Sequence, residues 1–259
     1  MKIKEFLKKR KLNIIFSASA IFLMWVIWII AYYAVRNEYI IPSFTETMKS
    51  LWECFVSSGF WISFLNTVLR TAIAFIVSFF LAALFAVMGI ISKSFGLFIK
   101  PFISVFRTLP TLAVILILLC WTTPVVAPTA VTVLVLFPMI YSQINTAVSG
   151  IDGGIIDMAK VYKITEKEKL AKIYLPMIAP SILAQTGANI SLGIKVMISA
   201  EVLAGTYRSL GGLMQNARLY IDMPKLTALT VVAVLMGFAV DLLFSFIGKG
   251  AFKWSRKQV

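Results

Sequence analysis

The sequence predicts an all-α integral membrane protein with six transmembrane helices. Of its 259 residues, 60% are hydrophobic and only 14% are charged, whereas a soluble domain carries about 25% charged residues. Long stretches contain no charge at all, such as the 44 residues from Thr108 to Ile151. The 25 Lys and Arg residues outnumber the 11 Asp and Glu residues, and they lie mostly between these stretches. A water-soluble globular protein is therefore excluded.

Composition also limits the chemistry of the chain. Histidine is absent, which removes the commonest general base and the commonest transition-metal ligand. Cys54 and Cys120 form no CxxC pair or disulfide framework. The net charge of +14 suits contact with anionic lipid headgroups and control of membrane topology. We expect no catalytic residues, no metal site, no cofactor held by this chain and no nucleic-acid partner.

Six apolar segments are interpreted as membrane spans. A helix of about 20 apolar residues crosses the hydrocarbon core of a bilayer. The uncharged 44-residue stretch is too long for one span, and two prolines within 122–128 favour a break there. The predicted spans are 12–35, 71–92, 108–122, 129–148, 180–203 and 226–247.

The segments between the spans differ in charge and in aromatic content. Aromatic side chains interleaved with charges after the first span predict a short amphipathic helix at the outer membrane interface. The predicted organisation is a basic tail with the first span (1–35), an outer amphipathic segment (36–66), a five-span core (67–250) containing a polar loop (150–176), and a basic C-terminal tail (251–259).

The positive charges orient the chain in the membrane. Six spans place both termini on the same side, and that side with its loops holds 18 Lys and Arg residues, against six on the opposite side. The positive-inside rule makes the richer side cytoplasmic. The sequence therefore predicts a multi-pass protein with both termini in the cytoplasm.

The cytoplasmic loop 150–176 is longer than a chain reversal needs. Apolar residues recur at i, i+3, i+4 and i+7 spacing from Ile155 to Tyr162, which predicts a short amphipathic helix. Thr165, followed three residues later by Glu168, predicts a capping box at the start of a second helix. We expect a helix–turn–helix suited to docking into a cytoplasmic protein. A solvated basic loop that only enforces topology is the alternative.

This loop resembles the EAA motif, the coupling loop of type I ABC importer permeases. The family pattern is an acid, two small or apolar residues and then a glycine, followed after nine residues by I-x-L-P. The run Asp157–Ala159 opens the motif here, and Ile173–Pro176 closes it. The departures are Asp for Glu, Met for the first Ala, and Lys163 in place of the turn glycine. The resemblance implies the following ATPase-coupling residues: Asp157, Met158, Ala159, Lys160, Tyr162, Lys163, Ile173, Leu175 and Pro176.

Other segments resemble the nitrate/sulfonate/taurine branch of the binding-protein-dependent transport family. They are Leu109–Ala113, Lys195–Leu203 and Ser209–Leu213, and the whole match covers about residues 40–250. The resemblance implies the permease subunit of an ATP-driven importer in a bacterial-type plasma membrane. Its substrate would be a small nutrient such as a sulfonate, taurine, nitrate, or a vitamin or vitamin precursor.

The resemblance also implies the partners of the chain. Six spans make about half of a transport pathway, so a second permease copy, or a close paralogue, would complete it. Two cytoplasmic ATPases would dock on the coupling loops and use ATP and Mg²⁺, and an extracytoplasmic binding protein would deliver the substrate. The chain has no G-x-x-x-x-G-K-[ST] sequence to cradle phosphates, so we expect it not to be an enzyme. Composition alone leaves two alternatives, a carrier driven by an ion gradient and a membrane-embedded enzyme.

Two charged residues, Lys195 and Glu201, fall within the fifth predicted span, where contact with lipid is costly. Six positions separate them, which is about 240° around a helix, so they are not natural partners. Glu201 is predicted to accept hydrogen bonds that fix the span against the loop at Gly205, with an interface acid in outer water as the alternative. Lys195 either attracts an anionic substrate or is a counter-charge, for instance to Asp241.

Three glycines follow Glu201 at the predicted outer mouth of the pathway. They favour either a bend or re-entrant segment or close helix packing. Arg70 and Arg107 are predicted to anchor the ends of spans. The candidates for a pathway or gate are Lys195, Glu201, Gly205, Gly211 and Gly212.

Overall fold

The computed structural model describes residues 2–251, with the side chains of residues 16, 19, 20 and 22–247. Within this part of the chain every regular element is a helix. The basic tail predicted at 251–259 lies outside the described residues beyond its first position, as do the side chains of the N-terminal lysines. The helices are α1 (Lys2–Val35), α2 (Phe44–Val56), α3 (Ser58–Ile91), α4 (Lys93–Thr108), α5 (Thr111–Trp121), α6 (Val126–Ser149), α7 (Gly153–Val161), α8 (Glu166–Lys169), α9 (Leu175–Ala204), α10 (Leu210–Leu219) and α11 (Met223–Ala251).

The described residues form two compact units. One consists of the residues up to Val56 together with Asn216–Leu229, and the other of Ser57–Gln215 together with the residues from Thr230 onward. In the smaller unit, Trp28 Nε1 donates a hydrogen bond to the Pro42 carbonyl oxygen at 3.2 Å. The Trp28 ring also meets Phe44 edge to face. These contacts hold the aromatic end of α1 against the start of α2, which is the amphipathic helix predicted within 36–66.

The larger unit is built around α3, α6 and α9. The buried face of α3 is made almost entirely of small side chains, which recur at nearly every turn of the helix. Small residues let helix backbones approach closely, and such packing holds helices together where lipid replaces water. The small buried residues of α3 are Ser63, Thr67, Thr71, Ala74, Ser78, Ala82 and Ala86.

The main apolar cluster of the larger unit joins four helices. Ala82 and Ala86 of α3 meet Leu136 and Ile140 of α6, and Ile178 contributes from the start of α9. Further along α9, Gly193 allows close contact with α6, because an added Cβ would lie 3.1 Å from Leu136 Cδ1. α4 also joins the cluster, which places it beside α3 and α6.

Four described helical segments are long and apolar enough to cross a membrane, namely α3, α6, Glu166–Ala204 and Met223–Ile247. The pair α4 and α5 passes the same test only when taken together, and it is bent by 96°, so the described count is four or five. α1 covers the first predicted span, but its described apolar part, Phe22–Val35, is shorter than a span. The described helices alone do not reach the predicted six spans.

The bounds predicted for the third span, 108–122, are wrong. α5 has 11 residues, which is about 16 Å of helix and about half of a 30 Å hydrocarbon core. The helix breaks at Leu109, whose ψ of 128° is extended. Pro110 explains this, because a proline disfavours helical backbone in the residue before it. The segment 93–107, which the predicted spans leave as a connection, is instead the first arm of a bent helix pair.

Some other helix boundaries differ from those of the predicted spans, and one predicted break is present. The second span begins at Ser58 rather than 71, so residues 58–66 belong to α3 and not to the outer amphipathic segment. The break predicted within 122–128 is present, since α5 ends at Trp121 and α6 begins at Val126. The second helix of the loop 150–176 does not end before the fifth span, because a π-helical turn, Leu170–Tyr174, joins α8 to α9.

Candidate functional site

The carboxylate of Glu201 is fully buried near the end of α9 and accepts three hydrogen bonds. Thr67 Oγ1 donates to Oε2 at 2.8 Å, and the Gly211 backbone N–H donates to the same oxygen at 3.2 Å. Arg70 Nη1 donates to Oε1 at 3.0 Å and forms an ion pair. The cost of burying the charge is therefore offset by a paired cation and by two further donors. The predicted hydrogen bonds are present, and the alternative of a water-exposed acid is wrong.

Arg70 is a partner of Glu201 rather than the span-end anchor that the sequence suggested. It lies three residues after Thr67 on α3, so both side chains occupy one face of that helix and reach the same carboxylate. Within the described residues, no group of three or more Cys, Asp or Glu side chains is arranged to hold a metal ion. The arrangement around Glu201 thus joins helices through one buried charge, and it does not resemble a catalytic pair of acids.

Thr67 and Glu201 also accept hydrogen bonds from the first N–H groups of α10. The Leu210 N–H donates to Thr67 Oγ1 at 2.9 Å, and the Gly211 N–H donates to Glu201. The first N–H groups of a helix have no partner within the helix, and their partial positive charge favours a nearby anion. α3 and α9 therefore supply the cap of α10. We call Thr67, Arg70, Glu201, Leu210 and Gly211 the Glu201 cluster.

The three glycines after Glu201 have two structural roles: Gly205 ends α9, and Gly211 and Gly212 allow close contacts. Gly205 ends α9 in the left-handed conformation, with φ 59° and ψ 39°, which glycine adopts without steric cost. Gly211 allows α10 to touch α9, because an added Cβ would lie 2.6 Å from the Val202 backbone nitrogen. An added Cβ at Gly212 would clash with the Thr206 carbonyl oxygen. The predicted bend and the predicted close packing therefore both occur, at different positions.

Two further hydrogen bonds hold the turn between α9 and α10. Thr206 Oγ1 donates to the Pro124 carbonyl oxygen at 2.6 Å, in the connection between α5 and α6. Asn66 Nδ2 of α3 donates to the Arg208 carbonyl oxygen at 3.0 Å. The turn is thus fixed from two sides. Neither Thr206 nor Asn66 was singled out from the sequence, because isolated polar residues give no local pattern.

Lys195 lies apart from the Glu201 cluster. Its side chain is exposed on α9, and no ion pair joins it to Asp241 or to another described carboxylate. The counter-charge interpretation with Asp241 is therefore wrong for the described residues. The exposed ammonium group remains available to an anion.

In the loop 150–176, Lys163 forms the turn that the resemblance assigns to glycine. Its φ is 52°, in the left-handed region. The Ile164 N–H donates to the Ala159 carbonyl oxygen at 3.0 Å, and the Lys163 N–H donates to the Lys160 carbonyl oxygen at 3.0 Å. This pair of bonds is a Schellman motif, which commonly ends a helix. The tight turn therefore forms with lysine, although a side chain is strained in this conformation.

α7 exposes one apolar face, formed by Met158, Val161 and Tyr162. These side chains are 55%, 79% and 73% exposed, and their spacing places them on one side of the helix. We call them the α7 apolar face. Ala159 belongs to the motif but is buried within this chain, so it supports α7 and does not present a surface. Val161 was missed by the motif comparison and is found only from its exposure.

The remaining residues of the motif flank this face. Asp157 and Lys160 form an exposed ion pair at 2.7 Å, and hydrogen bonding to this carboxylate raises the pKa of Lys160. Thr165 and Glu168 form the predicted capping box. The π-helical turn includes Ile173, and α9 then begins with Leu175, Pro176 and other exposed residues.

Comparison with known sequences defines the class of the protein. The family described as "Binding-protein-dependent transport system inner membrane component" matches residues 86–253. The chain belongs to this family, and it is therefore an inner-membrane permease subunit of an ABC importer.

Particular relatives agree with this assignment. The chain is 24% identical over 191 residues to the aliphatic sulfonates transport permease protein SsuC of Bacillus subtilis (strain 168), covering 73% of this chain and 68% of SsuC. It is 28% identical over 163 residues to an ABC transporter permease protein of Brucella abortus (strain 2308), covering 61% of this chain and 64% of that protein.

Solved structures show the same fold. A chain of an amino acid ABC transporter, solved with histidines, matches with a TM-score of 0.65 at 16% identity, covering 78% of this chain and 96% of that one. A chain of the inward-facing MetNI methionine ABC transporter matches with a TM-score of 0.60 at 15% identity, covering 76% of this chain and 100% of that one.

Proposed function

We propose that two copies of this permease, or one copy and a close paralogue, form the translocation pathway of an ATP-driven importer. Each copy has six spans, namely α1, α3, the bent pair α4–α5, α6, α9 and α11, with both termini in the cytoplasm. This count adds α1 to the five spans obtained when the bent pair is one crossing. The loop containing α7 and the basic start of α4 then lie on the cytoplasmic side.

The α7 apolar face is the proposed docking surface for a cytoplasmic ATPase dimer. Three large apolar side chains stand exposed within a polar loop, two on the nine-residue helix α7 and the third on the residue that follows it, and this observation carries the proposal. An amphipathic helix of this kind fits a groove in a partner protein. ATP and Mg²⁺ are used by the ATPase, and this chain holds no cofactor in the proposal.

A single charge on the α7 apolar face tests the docking proposal. Val161→Glu places a carboxylate at the centre of the face, and Val56→Glu is the matched control, because Val56 is 70% exposed at the end of α2. We expect Val161→Glu to lower ATPase co-purification and ATP-dependent uptake by at least about tenfold, as loss of a central interface contact does. Both variants should insert and fold normally. Normal co-purification of Val161→Glu would contradict the docking surface.

The proposed substrate is a small organic anion of the sulfonate class, delivered by an extracytoplasmic binding protein. Two observations support it: the relative named for aliphatic sulfonates transport and the exposed Lys195 on α9, which forms no ion pair with a described carboxylate. In the proposal, Lys195 attracts the anion in the pathway, and the Glu201 cluster holds the α9–α10 turn as part of the outer gate.

Competition for uptake tests the substrate class. The complete transporter, with its ATPase and binding protein, is reconstituted in vesicles and offered radiolabelled ethanesulfonate against unlabelled taurine, nitrate or a neutral vitamin precursor. We expect sulfonates to compete and the neutral compound not to compete. Lys195→Gln should reduce ethanesulfonate uptake while leaving ATPase co-purification unchanged. Competition by the vitamin precursor alone would contradict the proposed substrate.

A further inference from the structure

An open cleft of about 650 Å³ lies between α4 and α6 in the larger unit. Lys93, Lys100 and Arg107 line its α4 wall at intervals of seven residues, which places them on one face of the helix about 10 Å apart. Ser142 and Asn145 line the α6 wall, and no carboxylate lines the cleft. The cleft is therefore a row of positive charges opposite neutral hydrogen-bonding groups.

The three cations of the cleft have no anionic partner among the described residues. Arg107 Nη1 makes a long hydrogen bond of 3.5 Å to Ser142 Oγ, and Ser142 donates its own proton to the Pro138 carbonyl oxygen at 2.8 Å. The Ser142 hydroxyl is thus fixed as an acceptor that positions the guanidinium. The other N–H groups of Arg107 have no partner among the described residues and can bind an oxyanion, for which a guanidinium is well shaped.

The cleft follows α4 from its basic start, which the proposed topology places on the cytoplasmic side. Ile99 and Ile103 of α4 belong to the same apolar cluster as residues of α3 and α6. The Phe106 ring centroid lies 6.5 Å from the Phe137 ring centroid. Phe137 is twelve residues, or about 18 Å of helix, before the end of α6. Arg107 itself contacts Ser142, which is seven residues, or about 10 Å of helix, before α6 ends. α4 therefore runs back along α6, and in the proposed topology Arg107 lies about two helical turns inside the cytoplasmic end of α6.

Cations at this depth are costly when they face lipid, and they normally face partners or water-filled cavities. A single phospholipid phosphate stays at the membrane surface and cannot contact all three cations, because the row from Lys93 to Arg107 spans fourteen residues, or about 20 Å of helix. A free solute can pass along the whole row. The length of the row thus favours a mobile anion over a lipid headgroup.

We propose that this cleft is the cytoplasmic half of the transport pathway and binds the oxyanion group of the solute. The proposal rests on the proposed function and deepens it. A sulfonate leaving the outer half passes from Arg107 to Lys100 and then to Lys93. Because successive cations are about 10 Å apart, the anion is never far from a positive charge and is not held by all three together.

The charge and the water accessibility of the cleft can be measured without transport. Ser104 is exposed, lines the cleft and lies between Lys100 and Arg107 on α4. Ser104→Cys is made with Cys120→Ser, because Cys120 is exposed whereas Cys54 is buried. The full-length permease in inside-out vesicles is treated with two methanethiosulfonate reagents, one carrying a sulfonate and the other a trimethylammonium group. Each forms a mixed disulfide with the cysteine thiolate and releases methanesulfinate.

We expect the sulfonate-bearing reagent to react at least about tenfold faster than the cationic reagent, because a charged cleft concentrates counter-ions. Ethanesulfonate should slow the labelling. Lys100→Gln and Arg107→Gln should each bring the two rates closer together, whereas Arg107→Lys should largely preserve their ratio. Lys49→Gln, which removes an exposed charge from α2 outside the cleft, is the matched control and should change nothing.

Absence of labelling, or equal rates for the two reagents, would overturn the proposal. Labelling that is blocked by phosphatidylglycerol in the vesicles but not by ethanesulfonate would also overturn it, since the anion would then be a lipid headgroup. Charge-selective labelling blocked by ethanesulfonate supports the anion cleft. If the complete transporter nevertheless took up no sulfonate, the proposed substrate would fail while the cleft stood.

Discussion

Arg70 of α3 and Glu201 of α9 form an ion pair with 3.0 Å between Nη1 and Oε1, although 131 positions separate them in the sequence. The Glu201 side chain is fully buried, and that of Arg70 is 16% exposed. This pair joins two helices of the larger unit at the place where the chain turns into α10. A buried ion pair adds little net stability to a fold. Removing one partner is nevertheless costly, because the other partner is left as an unpaired buried charge.

Removing Arg70 should therefore be more harmful than removing the charge of Glu201. Arg70→Met leaves a buried carboxylate without its cation, and we expect a loss of about 3–5 kcal/mol in the free energy of unfolding. Glu201→Gln should cost less, because its amide oxygen still accepts from Thr67 and Gly211. The double variant should recover part of the loss of Arg70→Met. Chemical denaturation in detergent measures all three, and strictly additive effects would show that the pair is not coupled.

Thr67 links Glu201 to the start of α10 through a single hydroxyl group. Its Oγ1 donates to Glu201 at 2.8 Å and accepts from the Leu210 N–H at 2.9 Å. Thr67→Val keeps the shape but removes both bonds, so we expect a loss of about 1–3 kcal/mol and faster hydrogen exchange of the first α10 amides. Thr67→Ser retains the hydroxyl and serves as the control. Unchanged exchange of the Leu210 amide in Thr67→Val would contradict this account.

The close approach of α10 to α9 requires a residue without a side chain at Gly211. Gly211→Ala places a methyl group against Glu201 and the backbone of α9, and overpacking of this kind costs about 1–3 kcal/mol. Gly153→Ala in α7 is the matched control, because an added Cβ would meet open space there. We expect the melting temperature to fall for Gly211→Ala and to stay constant or rise slightly for Gly153→Ala. Equal melting temperatures would mean that the contact is easily relieved.

The sequence predicted the helical class and the position of most spans, because long segments without charge indicate helices that cross the membrane. It also predicted the capping box at Thr165, which depends on two residues three positions apart. It predicted that Glu201 accepts hydrogen bonds, since a charge in an apolar segment needs partners. These inferences are local, and each uses information contained within a few turns of one helix.

The partners of Glu201 were not predictable in the same way. Thr67 and Arg70 lie in another helix, and Arg70 at the edge of an apolar run has the pattern of an ordinary span anchor. The 96° bend between α4 and α5 was missed because composition alone does not distinguish a bent pair from a basic connection followed by a short span. The cation row on α4 was missed as well, since its seven-residue spacing acquires meaning only when α6 is known to face it.

The last prediction concerns the strain at Lys163, which occupies a left-handed conformation with φ 52°. This conformation costs a residue with a side chain about 1–2 kcal/mol, and glycine adopts it freely. Lys163→Gly should therefore stabilise the end of α7 and slow hydrogen exchange of the Lys160–Ile164 amides about fivefold or more, provided that these amides exchange by local opening. Lys163→Gln removes the charge but keeps the strain, so its exchange should match that of the parent. Lys163→Val should accelerate exchange, because a β-branched side chain is especially unfavourable at positive φ. If Lys163→Gln slowed exchange as much as Lys163→Gly, the relevant property would be the charge of Lys163 and not its backbone conformation.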